Sequence, residues 1–208
     1  MKKITKKDLF ANFIFILTFV IIYLFLTKNN HLFASKIDFK YQHYLIPEYF
    51  RTLFYSTHDL FPDFAFNLGS GQNIYYLSYY GLYNPYILVS YLFPHIKIIY
   101  YLITTNCLIV IISTILFYYF LRKHHHNEKI SFTTAFLFLV SGPLIFHAKR
   151  HIMFINYFPF LICGLFGIDK FVDKNKSTIL ILSSTLIILS SYYFSIPSLL
   201  VLYLYYIY

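Results

Sequence analysis

Charged residues and cysteines are scarce in this chain. Charged side chains make up 12% of its 208 residues, against roughly 25% in ordinary soluble domains. The two cysteines, Cys107 and Cys163, both lie inside apolar runs. The sequence therefore predicts neither a disulfide framework nor a thiolate metal site, and its composition is not that of a soluble domain.

The chain is rich in hydrophobic residues. They make up 59% of the chain, and 23% of all residues are aromatic. Several uninterrupted apolar runs approach or exceed the roughly 17 to 25 residues that a helix needs to cross a bilayer. The net charge of +9 comes from basic residues that cluster at the ends of these runs, which indicates membrane topology and not a nucleic-acid partner.

The apolar runs predict an all-α integral membrane protein, a polytopic helical bundle of about five to six spans in a single transmembrane domain over residues 1–208. The first run, Leu9–Leu26, follows four lysines, so we expect the N-terminus in the cytoplasm. Further spans follow it, which favours a retained anchor over a cleaved signal peptide. The later runs cover residues 96–121, 130–146, 152–168 and 178–193, and an unfinished one starts at Pro197.

Residues 27–84 form the long stretch that contains many polar side chains, and the topology predicts that it is the first loop outside the cell. Apolar pairs recur every four residues between Leu45 and Phe54, as on one face of an amphipathic helix lying on the membrane surface. Pro47 predicts a kink or a restart in that helix. The segment Gly69-Ser70-Gly71 is typical of a turn.

Asp38 is the first carboxylate after the first predicted span, and Gln42 follows it at i+4. On a helix the two side chains face the same way. Asp38 could take a proton from an acceptor hydroxyl or hold a divalent cation. It could also cap the N-terminus of the following helix. The spacing leaves both interpretations open, and they do not exclude each other.

The segment His147-Ala148-Lys149-Arg150-His151 carries four side chains that can be cationic. The predicted topology puts it in a tight turn outside the cell, where positive charge is disfavoured. An anionic ligand such as a phosphate would explain this, because Arg presents a planar fork of donors. Contact with acidic lipid headgroups would explain it equally well.

The other candidate groups have simpler explanations. Glu48, Asp59 and Asp63 are expected to be solvated loop charges, since no spacing fixes a second carboxylate for paired acid and base work. The tract His124-His125-His126 resembles a metal-binding tract, but adjacent histidines cannot all face one ion. We expect a solvated cytoplasmic turn there.

A set of short segments, taken together and in order, resembles a known family. They are Asp38 with Gln42, Asn67–Asn73, Tyr79–Pro85, Ser141-Gly142-Pro143, His147–His151 and Asn156–Phe160. The combination resembles the YfhO-like membrane proteins of Gram-positive bacteria, which are similar to the GT-C class of glycosyltransferases. The resemblance covers essentially the whole chain.

The resemblance implies an enzyme that takes a sugar from an undecaprenyl-phosphate carrier and adds it to a cell-surface polymer such as a teichoic acid. GT-C enzymes place an acidic residue in the first outer loop, and Asp38 is the matching position. Gln42 would bind substrate beside it, and His147, Arg150 and His151 would face the lipid phosphate. Whether a divalent cation takes part is open, since some GT-C relatives use one and some do not.

Members of that family are several times longer than this chain, so we expect an N-terminal fragment of a larger GT-C-like module. Two other functions are weighed against the enzyme. A transporter or flippase component should carry ionisable residues within its spans, and these spans have almost none. A non-catalytic membrane fragment would bind only lipid or a partner protein.

Overall fold

The computed structural model describes residues 4–124 and 127–208. Lys2 and Lys3, which contribute to the predicted topology, and His125 and His126 lie outside these residues. The described chain is predominantly helical, as predicted. Its α-helices are α1 (Lys6–Leu26), α2 (Leu45–Thr57), α3 (Pro85–Ser90), α4 (Ile98–Lys123), α5 (Glu128–Leu139), α6 (Gly142–Arg150), α7 (Phe158–Lys174), α8 (Thr178–Ser190) and α9 (Tyr192–Ile207).

Within these residues, three helical segments are long and apolar enough to cross a membrane, namely Lys6–Leu26, Ile98–Lys123 and Ile152–Lys174. Helices α5 and α6, bent by 42° at a short break, meet the same criteria when the pair is taken as one broken span, which brings the number to four. The apolar helices α8 and α9 are shorter. Helix α1 exposes large side chains along its length, with Phe25 75% exposed, and lipid contact explains such a surface.

The break between α5 and α6 falls at Val140 and Ser141. Ser141 is extended (φ −63°, ψ 132°), and Pro143 follows within the first turn of α6, where a proline is well tolerated. The sequence had predicted one span over residues 130–146 and a tight turn after it. The prediction of a tight turn is wrong. Residues 147–150 still belong to helix α6, and the chain leaves the helix at His151 (φ −161°, ψ 125°).

A second break separates α8 from α9 at Ser190 and Ser191. Ser191 is extended, and its side chain accepts a hydrogen bond from the amide of Phe194, as an N-cap residue does. The last helix therefore starts at Tyr192 and contains Pro197. The prediction that this span starts at Pro197 is wrong.

The segment between α1 and α4 contains several short elements of secondary structure. A π-helical turn, Phe39–His43, leads into α2, so the chain restarts at Leu45, and Pro47 lies in the first turn of α2. A small antiparallel hairpin pairs β1 (Phe64–Ala65) with β2 (Gln72–Asn73). The predicted glycine turn joins these strands, with positive φ at both Gly69 and Gly71. A 3₁₀-helix, Ile74–Tyr80, and the short α3 follow.

Carboxylates join the helices at the end of the bundle that contains the N-terminus of α1, here called the Asp8 end. Asp8 is buried and accepts a 2.7 Å hydrogen bond from Tyr118, and Arg122 lies 3.4 Å away. Asp169 of α7 lies 2.6 Å from Lys123 and accepts a 2.7 Å hydrogen bond from Tyr205. These contacts fix α4 against its neighbours far from Asp38.

Candidate functional site

A pocket of about 420 Å³ lies at the opposite end of the bundle from Asp8, here called the pocket end. Three parts of the chain build it: the segment after α1, the corner between α6 and α7, and the start of α9. Its walls combine charged, polar and aromatic side chains, a mixture typical of small-molecule sites. The lining residues are Asp38, Gln42, His43, Tyr79, Tyr80, Arg150, His151, Phe154, Tyr193 and Phe194.

Asp38 and Arg150 form an ion pair in this pocket, with 2.6 Å between Oδ2 of Asp38 and Nε of Arg150. Backbone contacts bring the two together, because the amide of Ser35 donates to the carbonyl of Lys149 over 2.8 Å. Asp38 does not cap the following helix. The hydroxyl of Ser35 instead accepts from the amide of Phe39 over 3.1 Å. The capping interpretation of Asp38 is therefore wrong, and its carboxylate faces the pocket.

Gln42 lines the same pocket as Asp38, which confirms that the two side chains face the same way. The hydroxyl of Tyr80 donates to Oε1 of Gln42 over 3.2 Å. This contact uses the amide oxygen and fixes the orientation of the side chain. The amide nitrogen of Gln42 remains a donor for a ligand.

His151 is only 3% exposed and lines the pocket. Its Nδ1 accepts a 3.2 Å hydrogen bond from the amide of Met153, so the proton of a neutral ring is on Nε2. Burial, and then the neighbouring His43 and Arg150, hold the pKa of His151 well below its usual value. The side chain is thus a neutral imidazole with one N–H donor.

His43 is a pocket residue that the sequence analysis did not select. Its ring centroid lies 3.3 Å from that of His151, and its Nδ1 is buried with no hydrogen-bond partner among the described residues. Burial lowers the pKa of His43 to about 4, with Arg150 adding to the shift and Asp38 opposing it. Two touching imidazoles beside a guanidinium are both neutral at pH 7, because protonating either would place like charges together.

His147 is the one predicted site residue that the structure places outside the pocket lining. It lies on α6 one turn before Arg150, and its ring packs edge-on against Phe154 at 5.1 Å. A helix places residues three apart on neighbouring but not identical faces. The predicted turn over residues 147–151 gave no reason to separate His147 from Arg150, whereas the helix does.

Aromatic residues from distant parts of the chain complete the pocket. Tyr79 and Tyr80 come from the 3₁₀-helix, Phe154 follows His151, and Tyr193 and Phe194 open α9. Nothing in the local sequence marks Tyr193 as a pocket residue. Ser190 ends α8 and Ser191 caps α9, and this pair of serines is the one signal in the sequence that a helix starts there.

The remaining acidic candidates lie elsewhere. Asp63 accepts a hydrogen bond from Tyr75 beside the hairpin, and Asp59 accepts from the backbone of Phe61. Neither lines the pocket, and Glu48 does not either. Within residues 4–124 and 127–208, no group of three or more His, Cys, Asp or Glu side chains could hold a metal ion. His124, from the histidine tract, contacts Asp169 at 3.1 Å.

The sequence model of a family described as "Bacterial membrane protein YfhO" matches residues 10–208. The chain belongs to this family. The match includes every residue that lines the pocket and, apart from the first turn of α1, all the apolar helices, so this member of the family is a multi-pass membrane protein. No curated protein and no solved structure shows a significant match to it.

Proposed function

We propose that the protein is a membrane glycosyltransferase that moves a sugar from a polyprenyl-phosphate carrier to a cell-surface polymer such as lipoteichoic acid. The observation that carries the proposal is the Asp38 carboxylate, which faces a pocket together with the guanidinium of Arg150. A base for the acceptor and a cation for the departing phosphate are the two groups that such a transfer needs.

The orientation of the protein is part of the proposal. Eight of the fifteen Lys and Arg side chains among the described residues lie at the Asp8 end, and five of the other seven lie in the long segment between α1 and α4, where the positive-inside rule is weak. The Asp8 end therefore faces the cytoplasm of a Gram-positive cell, and the pocket faces outward from the cell membrane. The donor phosphate and the acceptor polymer meet there. The basic residues of the Asp8 end are Lys6, Lys7, Arg122, Lys123, Lys129, Lys170, Lys174 and Lys176.

The chemistry needs one bond to form and one to break. The acceptor hydroxyl loses its proton to Asp38, its oxygen bonds to the anomeric carbon, and the bond from that carbon to the phosphate oxygen breaks. The polyprenyl phosphate leaves with the bonding electrons and one more negative charge. Arg150 and the Nε2–H of His151 offset that charge.

The ion pair explains how Asp38 becomes a free base. In the structure Nε of Arg150 is bound to the carboxylate at 2.6 Å. The phosphate diester of the donor offers the guanidinium a bidentate partner, and its negative charge doubles as the polyprenyl phosphate leaves. Donor binding therefore draws Arg150 away from Asp38, and the carboxylate becomes available to the acceptor hydroxyl.

The proposal is tested by Asp38→Asn, expressed from the native locus in a strain that otherwise lacks the protein. We expect glycosylation of surface polymers, measured by mass spectrometry of extracted polymer, to fall at least about a hundredfold, the scale of a lost general base. Asp59→Asn is the matched control, since Asp59 is in the same loop but outside the pocket. Unchanged glycosylation in the Asp38→Asn strain, with normal protein levels, would refute the proposal.

A further inference from the structure

Five aromatic rings form a closed circuit around the pocket, here called the aromatic collar: Tyr79, Tyr80, His151, Phe154 and Tyr193. The centroid distances around it are 4.0 Å from Tyr79 to Tyr80, 6.4 Å from Tyr80 to His151, 4.9 Å from His151 to Phe154, 6.5 Å from Phe154 to Tyr193 and 6.3 Å from Tyr193 back to Tyr79. All five rings line the pocket. The acid and the cation open into the same space.

The corner that carries Tyr193 is fixed by two buried asparagines. The side-chain amides of Asn84 and Asn156 both donate to the carbonyl of Ser190, over 3.0 and 2.9 Å. Both asparagines are fully buried. The carbonyl at a helix end lacks an intrahelical partner, and these two donors satisfy it. They hold the break at which α9 begins, and so they set the position of Tyr193 against the pocket.

We propose that the aromatic collar is the subsite for the pyranose ring of the transferred sugar, with Tyr193 as a specificity-determining residue. This inference rests on the proposed function, since it names which part of the pocket holds which part of the donor. Arg150 and His151 take the phosphate, and the collar takes the ring attached to it.

The chemistry of a pyranose matches the collar. Its C–H groups form an apolar face that packs on an aromatic ring, while its hydroxyl edge needs hydrogen-bond partners. Tyrosine supplies both an apolar body and a polar end. Burial raises the pKa of Tyr79 to about 12, so its hydroxyl keeps its proton, and the free amide nitrogen of Gln42 is a second donor. A volume of about 420 Å³ is within the range of small-ligand sites.

Tyr192 and Tyr193 provide a matched pair for the test. They are adjacent on α9 and both are exposed, by 72% and 57%, but Tyr193 lines the pocket and Tyr192 does not. The purified chain in lipid nanodiscs is titrated by calorimetry with inorganic phosphate and with glucose, galactose and N-acetylglucosamine 1-phosphates. The same titrations are run on Tyr193→Ala, Tyr193→Phe and Tyr192→Ala.

We expect the best hexose phosphate to bind at least about fivefold more tightly than inorganic phosphate, the gain expected from one good aromatic contact. Tyr193→Ala should lose that gain and still bind inorganic phosphate, which also shows that it folds. Tyr193→Phe and Tyr192→Ala should keep most of the gain.

Equal affinity of the wild type for phosphate and for all three hexose phosphates would overturn the subsite. An equal loss in Tyr192→Ala and Tyr193→Ala would do the same. If no probe binds, the subsite and the phosphate site both fail. A retained sugar gain together with unchanged glycosylation in the Asp38→Asn strain would instead support the subsite and refute the catalytic proposal.

Discussion

Arg150 donates a 2.6 Å hydrogen bond from Nε to Oδ2 of Asp38, a residue 112 positions earlier in the chain. Neither side chain is deeply buried, with 42% of Arg150 and 32% of Asp38 exposed. Ion pairs of this exposure contribute about 0 to 1 kcal/mol to stability. The pair is therefore easily exchanged for a phosphate, and its loss should affect function far more than folding.

Arg150→Gln should separate these two effects. We expect the melting temperature in detergent to fall by no more than a few degrees, since about 1 kcal/mol shifts the melting temperature of a protein of this size by roughly 2 to 4 °C. Glycosylation in cells should fall about a hundredfold, as when one charge-stabilising donor is lost. Lys149→Gln, one residue away and outside the pocket, is the control. A loss of glycosylation as large in Lys149→Gln would contradict the assignment.

The role of His151 can be tested by replacing it with glutamine and with asparagine, whose side-chain amides lie at different distances from the backbone. The amide nitrogen of a glutamine can take the place of Nε2 and donate into the pocket, whereas an asparagine can replace only Nδ1, the acceptor for Met153. We expect His151→Gln to retain much more glycosylation than His151→Asn, with both proteins folded by thermal unfolding. Equal activity of the two variants would show that His151 acts only through the backbone of Met153.

Stability should depend on pH through His43. Its pKa is about 4 in the folded protein and about 6.5 in an unfolded chain. Between these values the unfolded state binds more protons, so the free energy of unfolding falls as the pH is lowered from 6.5 to 4. We expect the melting temperature in detergent to fall across this window, and His43→Gln to reduce the slope. A slope unchanged by that substitution would show that other groups cause it.

Two glycines should respond differently to substitution by alanine. A Cβ at Gly167 of α7 would lie 2.7 Å from the backbone nitrogen of Leu180 in α8, whereas one at Gly142 meets nothing within 4 Å. Gly167→Ala should destabilise the protein by about 1 to 3 kcal/mol, because the helices must separate. Gly142→Ala should change the free energy of unfolding much less, because the added Cβ meets no other atom. Thermal unfolding of both variants checks this, and equal melting temperatures would contradict the close packing of α7 and α8.

The long helices could be predicted from the sequence because hydrophobic length is a local property. The run containing residues 96–121 became α4 within a few residues of its predicted ends. The break before α6 was missed, although Gly142 and Pro143 mark it, because the apolar run continues past them. The start of α9 was misplaced because Pro197 was taken as a boundary, while Ser191 forms the actual cap.

The candidate site was predictable only in part, for a similar reason. Asp38 and Gln42 share a local spacing, and Arg150 is a charge in an unexpected place, so each has a signal in the sequence. His43 and Tyr193 acquire their positions through contacts with segments about a hundred or more residues away along the chain. No local pattern distinguishes Tyr193 from its neighbour Tyr192, and only the fold does.

The buried carboxylate of Asp8 has a consequence for the order in which the protein is assembled. Helix α1 is synthesised first, but the hydroxyl that Tyr118 donates to Asp8 comes 110 residues later, and Arg122 comes later still. Until then Thr5 is the one described residue that donates hydrogen bonds to this carboxylate. Final docking of α1 in the membrane must therefore wait until the ribosome has completed α4.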